Sequence, residues 1–320
     1  MKLVKQTLIA AAVGASMFGG AAHSAAIATA YLSIEDLIAS NAAGDVLTLG
    51  TDVIPIAGGI VNVGDTRATL DGVTQDETLD APPVLINDVG GAGFSCVGAC
   101  TYANNSFSYL TKPADAASSY VVSDIVLTGA IVAGLPDGSG GIIPAGANAE
   151  TLAESAVLPN SVGSAESNVG VNSSFEFISN VDTDLTFSGT YSAYLRAALI
   201  GGLDGVSANA KIGWTVSLLD ITDGEIFTFN LSSDDDFVTG NVSTLIPGTD
   251  FDTSFGGAFS ASTSGTFLNV GNAYQLTITH ESIADSRASL VAIPAPLALM
   301  GAGLLMLGGI QRRRNRLAAA

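Results

Sequence analysis

The chain has 320 residues, of which 48% are hydrophobic and only 13% are charged, with 37 glycines. This composition is typical of an all-β extracellular protein rather than a helical cytosolic enzyme, and the length suffices for one large domain or two small ones. Five basic and all 30 acidic residues lie between the two basic ends of the chain, a balance of −25 that repels nucleic acid and anionic lipid, so we expect no nucleic-acid partner.

The N-terminus has the pattern of a secretory leader. Two lysines within the first five residues precede an apolar run from Leu8 to about Ala22. The run is short and rich in alanine and glycine, which favours a cleaved leader over a retained membrane anchor. Residues 1–24 are therefore predicted to be a signal peptide, removed by signal peptidase near Ser24 or Ala26.

The first part of the body gives weak secondary-structure signals. Ser33-Ile34-Glu35-Asp36 has the pattern of a helix start, and we expect a short helix that ends near Ser40. Short strands are predicted at Asp45–Leu49 and Gly58–Val63. The polar segment Gly64–Pro83 is expected to be a loop.

Cys96 and Cys100 are the two cysteines of the chain, with three residues between them. In an exported protein, two nearby cysteines most often form a disulfide. The alternative is a metal or redox pair, but neither a second cysteine pair nor an adjacent histidine accompanies them. We predict a disulfide with a modest effect on stability, because the ring that it closes is short.

The middle of the chain mixes strand signals with an irregular segment. Strands are predicted at Tyr120–Ile131 and Phe175–Ile178. Between them, Gly138–Ser164 is less regular, and Ala147–Ala156 is expected to form a short helix there.

The clearest strands come later, where apolar and polar residues alternate. Leu185–Leu195 has this period of two, and Ile212–Leu218 places Trp214 on an otherwise aliphatic face. The turn residues Thr222-Asp223-Gly224 then predict a hairpin with the strand that contains Phe227. Further strands are predicted at Gly265–Val270 and at Tyr274–Ile278.

These segments together predict a mainly β body over residues 25–290. Short alternating strands joined by glycine-rich turns favour an antiparallel β-sandwich or a jelly-roll-like fold. No repeat of fixed period occurs, so a solenoid or propeller is not expected.

Aspartate clusters are the candidates for a metal site. They are Asp182 with Asp184, Asp220 with Asp223, the triplet Asp234, Asp235 and Asp236, and Asp250 with Asp252, of which the first pair and the triplet are the leading candidates. Carboxylates are suitable ligands for Ca²⁺, although no cluster follows the EF-hand order, and solvated turns are the alternative interpretation. Ca²⁺ is the one cofactor that these clusters suggest, and no other cofactor is expected.

No residue pattern indicates an enzyme. His280 is the only histidine outside the predicted signal peptide, and it is interpreted as a surface or rim residue at the end of a strand. No Gly-x-Ser-x-Gly, Walker or dinucleotide motif occurs. We therefore predict no catalytic residues, although a carboxylate pair alone could hydrolyse glycosides.

The C-terminus, residues 291–316, has three parts. Pro294, Ala295 and Pro296 stand at the entrance to an uncharged run, Val291–Ile310, which has the length of a transmembrane helix of ~20 residues. A basic cluster ends the run and stops transfer, so that the body stays outside. This cluster consists of Arg312, Arg313, Arg314 and Arg316.

This arrangement resembles the PEP-CTERM sorting signal, in which a Pro-Glu-Pro-type motif precedes a transmembrane helix and an arginine cluster. The likeness covers about thirty residues, and Ala295 stands where the family most often has glutamate. It implies that an exosortase cleaves near Pro294–Pro296, in a Gram-negative bacterium that makes exopolysaccharide or biofilm. The wider chain is also similar to the exosortase-dependent surface-anchored group of β-rich proteins. The protein is then expected to pass through an inner-membrane intermediate to the cell surface or the medium.

The first functional interpretation is a non-enzymatic surface or extracellular-matrix protein that is associated with exopolysaccharide and biofilm. The alternative is a carbohydrate-binding or adhesive module, with or without calcium, and a secreted hydrolase comes third. A sugar site would need exposed aromatic residues on one sheet face. Tyr194 and Trp214 are the candidates, but Trp214 alternates with aliphatic residues and is expected in the core.

Overall fold

The computed structural model describes residues 25–61, 64–79, 91–101, 103–104, 106–107, 109, 118–136, 140–169, 174–200, 206–229, 239–246 and 248–288. The predicted signal peptide and the sorting tail lie outside these residues. Every regular element in the described ranges is a β-strand, and none of these residues forms a helix that could span a bilayer.

The described strands are long by the standards of globular proteins, several exceeding ten residues. In chain order they are β1 (Ala25–Ser40), β2 (Val53–Val61), β3 (Gly64–Leu70), β4 (Val73–Leu79), β5 (Gly91–Gly98), β6 (Tyr120–Thr128), β7 (Leu135–Pro136), β8 (Ile142–Ile143), β9 (Ala147–Val157), β10 (Ser161–Val169), β11 (Ser174–Ser179), β12 (Thr183–Ile200), β13 (Ser207–Asp220), β14 (Ile226–Phe229), β15 (Thr239–Thr244), β16 (Asp250–Leu268) and β17 (Ala273–Ala288).

The strands form two large antiparallel sheets that pack face to face. One sheet has six strands in the order β16-β12-β1-β9-β6-β5. The other has nine strands and follows the path β14-β13-β17-β10-β3-β4, with β15 also paired to β13, and β11 paired to both β17 and β2. Across the interface β1 and β9 lie on β17, β12 lies on β13, and β5 lies on β3. The predicted mainly β class is therefore confirmed, and the layering fits a β-sandwich.

In one part of the core, aromatic side chains fill the space between the two sheets. The rings of Phe175, Phe177 and Tyr274 stack in series, with centroids 5.1 and 5.5 Å apart. Trp214 is buried and packs against Phe259 at 5.3 Å. Aromatic residues bury large areas, so this end holds much of the apolar contact between the sheets.

At the other end the facing residues are small, and hydroxyl groups join the two sheets. The hydroxyls of Thr151 and Ser282 are 2.8 Å apart, and Ser123 donates to the Glu166 carbonyl of the opposite sheet at 2.5 Å. Such bonds satisfy buried polar groups that would otherwise be costly. They require a close approach of the sheets, which the small residues permit.

Strand β1 replaces the helix that Ser33-Ile34-Glu35-Asp36 predicted. Its residues are buried on both faces over most of their length, and it lies between β9 and β12. The pairing shifts at Glu35, where Asp36 takes a positive φ of 52°. The helix prediction was wrong because burial on both sides favours a central strand over the local capping pattern.

The second predicted helix and the irregular middle segment are also strands. Ala147–Ala156 lies in β9, which pairs with β1 and β6 along its length. The stretch Gly138–Ser164 contains β9 and the start of β10. Buried threonine, serine and glutamate side chains interrupt the apolar alternation of β9, which hid its period of two.

The segment Gly64–Pro83 is a hairpin where a loop was expected. Asp71 and Gly72 join β3 to β4, with φ values of 51° and 83°. Asp-Gly is the residue pair that such tight turns favour, because both positions need a positive φ. By contrast, Asp45–Leu49 forms only isolated bridges instead of the predicted strand.

The strands predicted from strict alternation are confirmed. Leu185–Leu195 lies in β12, and Ile212–Leu218 lies in β13, with the predicted faces buried. The hairpin through Asp223-Gly224 pairs β13 with β14. The remaining confirmed segments lie in β6 (Tyr120–Ile131, which extends past its end), β11 (Phe175–Ile178), β16 (Gly265–Val270, which extends past its end) and β17 (Tyr274–Ile278).

Candidate functional site

The candidate site lies on the outer face of the six-stranded sheet, meaning the face turned away from the nine-stranded sheet. Residues paired directly across antiparallel strands share a face. Tyr31 of β1 pairs with Tyr194 of β12, which pairs with Ser254 of β16. The three side chains therefore form one row across the outer face.

Three tyrosines enclose an open groove at this row. Tyr109, from the segment between β5 and β6, stacks on Tyr194 with ring centroids 4.8 Å apart and an interplanar angle of 16°. The ring of Tyr31 lies 6.0 Å from Tyr109, and Phe107 meets Tyr31 edge-on at 6.5 Å. The groove has a volume of about 590 Å³. We call it the tyrosine groove, and it is lined by Tyr31, Tyr109, Ser192, Ala193, Tyr194, Ser254, Phe255 and Gly256.

The phenol of Tyr31 is held in place by an acidic neighbour. Its hydroxyl donates to Oε1 of Glu150 at 2.6 Å. Burial, the hydrogen bond and the charge of Glu150 all raise the pKa of Tyr31. The hydroxyl of Tyr31 therefore stays protonated at neutral pH, and its hydrogen bond to Glu150 fixes the orientation of the ring.

The other two tyrosines are also protonated at neutral pH. Burial is the main cause that raises the pKa of Tyr109, and the charge of Glu154 adds to it. Burial likewise raises the pKa of Tyr194, although the charge of Arg196 opposes the shift. Tyr109 and Tyr194 thus keep a hydroxyl that can donate as well as accept hydrogen bonds, whereas the hydroxyl of Tyr31, which donates to Glu150, can still accept.

Beside the groove, Arg196 is tied to an acidic partner. Its guanidinium donates through Nε and Nη2 to the two carboxylate oxygens of Asp250, at 3.0 and 2.9 Å. Burial lowers the pKa of Arg196, but the hydrogen bond and charge of Asp250 outweigh this and raise it. Two-pronged pairs of this kind are strong and directional. The positive charge of Arg196 is thus neutralised next to the groove.

A fully buried glutamate lies on the outer face of the same sheet. Glu154 of β9 accepts from the Thr29 hydroxyl at 2.8 Å and from the Tyr120 hydroxyl. Ile27, Tyr120 and Ala156 form a small apolar cluster on the same outer face. The outer face of β1 is therefore covered, which explains why that strand is buried on both sides.

The disulfide prediction is confirmed, because the sulfurs of Cys96 and Cys100 lie at disulfide distance and their Cα atoms are 6.2 Å apart. Of the candidate calcium ligands, Asp182 is exposed and accepts from the Val270 amide at 2.7 Å, while Asp184 is half-buried. Among the described residues, no three side chains of the types that bind metals lie close enough to hold an ion.

Several predicted site residues fall outside the described residues. They are Asp234, Asp235 and Asp236, the sorting motif Pro294, Ala295 and Pro296, and the basic cluster Arg312, Arg313, Arg314 and Arg316.

His280 is fully buried, so the prediction of a surface or rim residue was wrong. Its Nε2 is 3.2 Å from the Leu32 carbonyl across the core. A carbonyl can only accept, so Nε2 carries the proton. Burial lowers the pKa of His280 to about 3, although this hydrogen bond opposes the shift. The imidazole is therefore a neutral group of the core and does not line a cleft.

Sequence reasoning selected Tyr194 but missed Tyr31 and Tyr109. No protein-family model matches the chain, and no curated protein or solved structure is significantly similar to it. The geometry of the described residues is therefore the basis for a functional assignment.

Proposed function

We propose that the chain is a non-enzymatic exported surface protein whose β body binds polysaccharide in the tyrosine groove. One observation carries the proposal. Tyr109 and Tyr194 stack beside Tyr31 in an open groove on a sheet face. Tyrosine combines a flat apolar ring with a polar tip, and a sugar ring has C–H groups on its faces and hydroxyls at its edge.

The polar groups of the groove suit a ligand rich in hydroxyls. The phenols stay protonated, and Ser192 and Ser254 add two more hydroxyls to the lining. Hydroxyls can donate and accept, as sugar hydroxyls do, except that Tyr31 already donates to Glu150 and can only accept from a ligand. Ligand sites commonly combine such a mainly apolar surface with a few fixed polar groups.

The carboxylates that adjoin the groove support a binding role over a catalytic one. Glycoside hydrolysis uses two carboxyl groups on either side of the scissile bond. Glu150 accepts a hydrogen bond from the Tyr31 hydroxyl, and Asp250 accepts hydrogen bonds from the Arg196 guanidinium. Both acids serve to orient their partners.

The two termini support the proposed export and surface location. The leader at residues 1–24 and the PEP-CTERM-like tail at 291–316 support export, processing by an exosortase and residence at the surface. Exopolysaccharide would then be the natural ligand at that location.

Replacing Tyr194 by alanine tests the proposal. Affinity electrophoresis of the exported protein in gels that contain different polysaccharides should show retardation, and Tyr194→Ala should weaken binding at least tenfold. Phe251→Ala is the matched control, because Phe251 is an exposed aromatic residue on β16 that does not line the groove. Equal binding by wild type and Tyr194→Ala would exclude the groove as the sugar site.

A further inference from the structure

From Ser192 back to Thr186, every outward side chain of β12 carries a hydroxyl. With a period of two, these outward positions are Ser192, Thr190, Ser188 and Thr186. Thr190 and Ser192 are exposed, and the other two are half-buried. These four residues, with Ser254, Ser260 and Ser262 of β16, are called the hydroxyl track.

On the β16 side the track is flat. Thr190 pairs with Ala258, and Ser192 pairs with Gly256, so no large side chain of β16 rises beside them. On the β1 side, Ser192 pairs with Ser33, and the exposed Glu35 pairs with Thr190 and borders the track. At the far end the hydroxyls of Thr186 and Ser262 are 2.8 Å apart. The track therefore continues from the tyrosine groove as an open shelf that ends in a pair of hydroxyls.

The outer face is acidic around this shelf. Its one described cation on the sheet strands is Arg196, which Asp250 neutralises. Among the described carboxylates on outward positions of the same strands, Glu35 and Asp252 are exposed, Glu150 is half-buried, and Asp250 is paired with Arg196. A polymer of uronic acids or sulfated sugars would meet uncompensated negative charge there.

We infer that the ligand is an uncharged polysaccharide chain that lies along β12, with one sugar ring in the tyrosine groove and the following units on the hydroxyl track. The inference rests on the proposed function and adds the ligand class and its direction. Thr186 is eight residues from Tyr194, which is ~26 Å along an extended strand. That length exceeds any monosaccharide, so the track would hold several consecutive sugar units.

The first test compares polymer charge, using the full chain with its disulfide intact. The probes are three neutral polymers, namely dextran, a mixed-linkage β-glucan and a galactomannan, and two polyuronates, alginate and polygalacturonate. We expect binding to a neutral polymer that changes less than twofold between 50 and 500 mM NaCl, because uncharged contacts are not screened. Preferential binding to a polyuronate would overturn the inference but not the groove. Binding to none of the five polymers would contradict the proposed function itself.

The second test uses chain length with fragments of the neutral polymer that binds. A hexasaccharide should bind at least tenfold more tightly than a disaccharide. In the double variant Ser188→Ala and Thr190→Val this gain should disappear while disaccharide binding stays unchanged. Thr228→Val, at an exposed threonine on the other sheet, is the control and should keep the gain. Equal affinity for both fragments in the wild type, with Tyr194→Ala still abolishing binding, would reject the track and retain the groove.

Discussion

The buried imidazole of His280 should make the fold sensitive to mild acid. Its cross-strand neighbours are Trp214 and Val169, and it bonds to the Leu32 carbonyl, so no charged group stands directly against it on these strands. Protonation inside the core would place a charge there without a partner. The folded state therefore excludes the second proton until the pH is far below the ordinary value.

The magnitude follows from the two pKa values. Burial lowers the pKa of His280 to about 3, against 6.5 when it is free in water. Because the folded pKa is depressed, the stabilisation is complete above pH 6.5 and is lost as the pH falls towards 3. In that window unfolding takes up one proton, and the slope approaches about 1.4 kcal/mol per pH unit. From pH 7.5 to pH 5 the loss that His280 contributes is about 2 kcal/mol.

Two measurements check this value. Urea unfolding at pH 7.5 and pH 5 should show about 2 kcal/mol more loss for the wild type than for His280→Gln, whose amide can still donate to the Leu32 carbonyl. The subtraction removes the contribution of the carboxylates, which both proteins share. A body without residues 1–24 contains a single histidine, so its imidazole NMR signal needs no assignment. An imidazole that titrates between pH 6 and 7 in the folded protein would refute the reasoning.

Three further changes test the core, the disulfide and the tail. Gly163→Ala should cost about 1–3 kcal/mol in urea unfolding, because its Cβ would clash with the Ser155 hydroxyl and would lie 2.7 Å from a Val121 methyl. Gly257→Ala is the control and should cost less than about 0.5 kcal/mol, because the nearest neighbour of its Cβ would be 3.9 Å away. Thiol labelling of the native protein should find no free cysteine, and replacing Cys96 and Cys100 by serine should cost about 2 kcal/mol for so short a ring. The mature C-terminus should lie near Pro294–Pro296 only in cells that contain an exosortase, and an intact tail in cells with and without the enzyme would contradict sorting.

The strands that could be predicted are those with one apolar face. In β12 and β13 every second residue points into the core, so the alternation of Leu185–Leu195 and Ile212–Leu218 reflects a real difference in solvation. The Asp71-Gly72 hairpin was equally readable from its turn residues. It was missed because β4 is polar on both faces at the edge of its sheet.

The strands that could not be predicted have polar groups where the core needs apolar ones. β9 buries Thr151, Glu154 and Ser155, and each is satisfied by a partner on another strand. The alternation of apolar and polar residues does not reveal a strand whose buried positions carry polar groups. The hydrogen-bond partners that allow these groups to be buried are distant in sequence and could not be identified from it. The same limit hid His280, whose polar ring is buried against a carbonyl 248 positions earlier.

The candidate site was predictable only in part, for a related reason. The alternation of β12 places Tyr194 on its outward face, but its pairing with Tyr31 depends on the register of two strands far apart in sequence. Tyr109 itself lies in no strand, so its stacking could not be inferred from any period.

The position of the groove follows from how the outer face of β1 is covered. The outward residues Ile27 and Thr29 are fully buried, and the Thr29 hydroxyl donates a hydrogen bond to the buried Glu154. At the next outward position of β1, Tyr31 is only half-buried, although Ser33 beyond it is buried again. An aromatic residue in this position can pack against Tyr109 with one part of its ring and offer the rest to a ligand. The groove is thus bounded by the stacked rings of Tyr109 and Tyr194. In the proposed complex, a sugar ring would stack next to them, above the hydroxyls of β12 and β16.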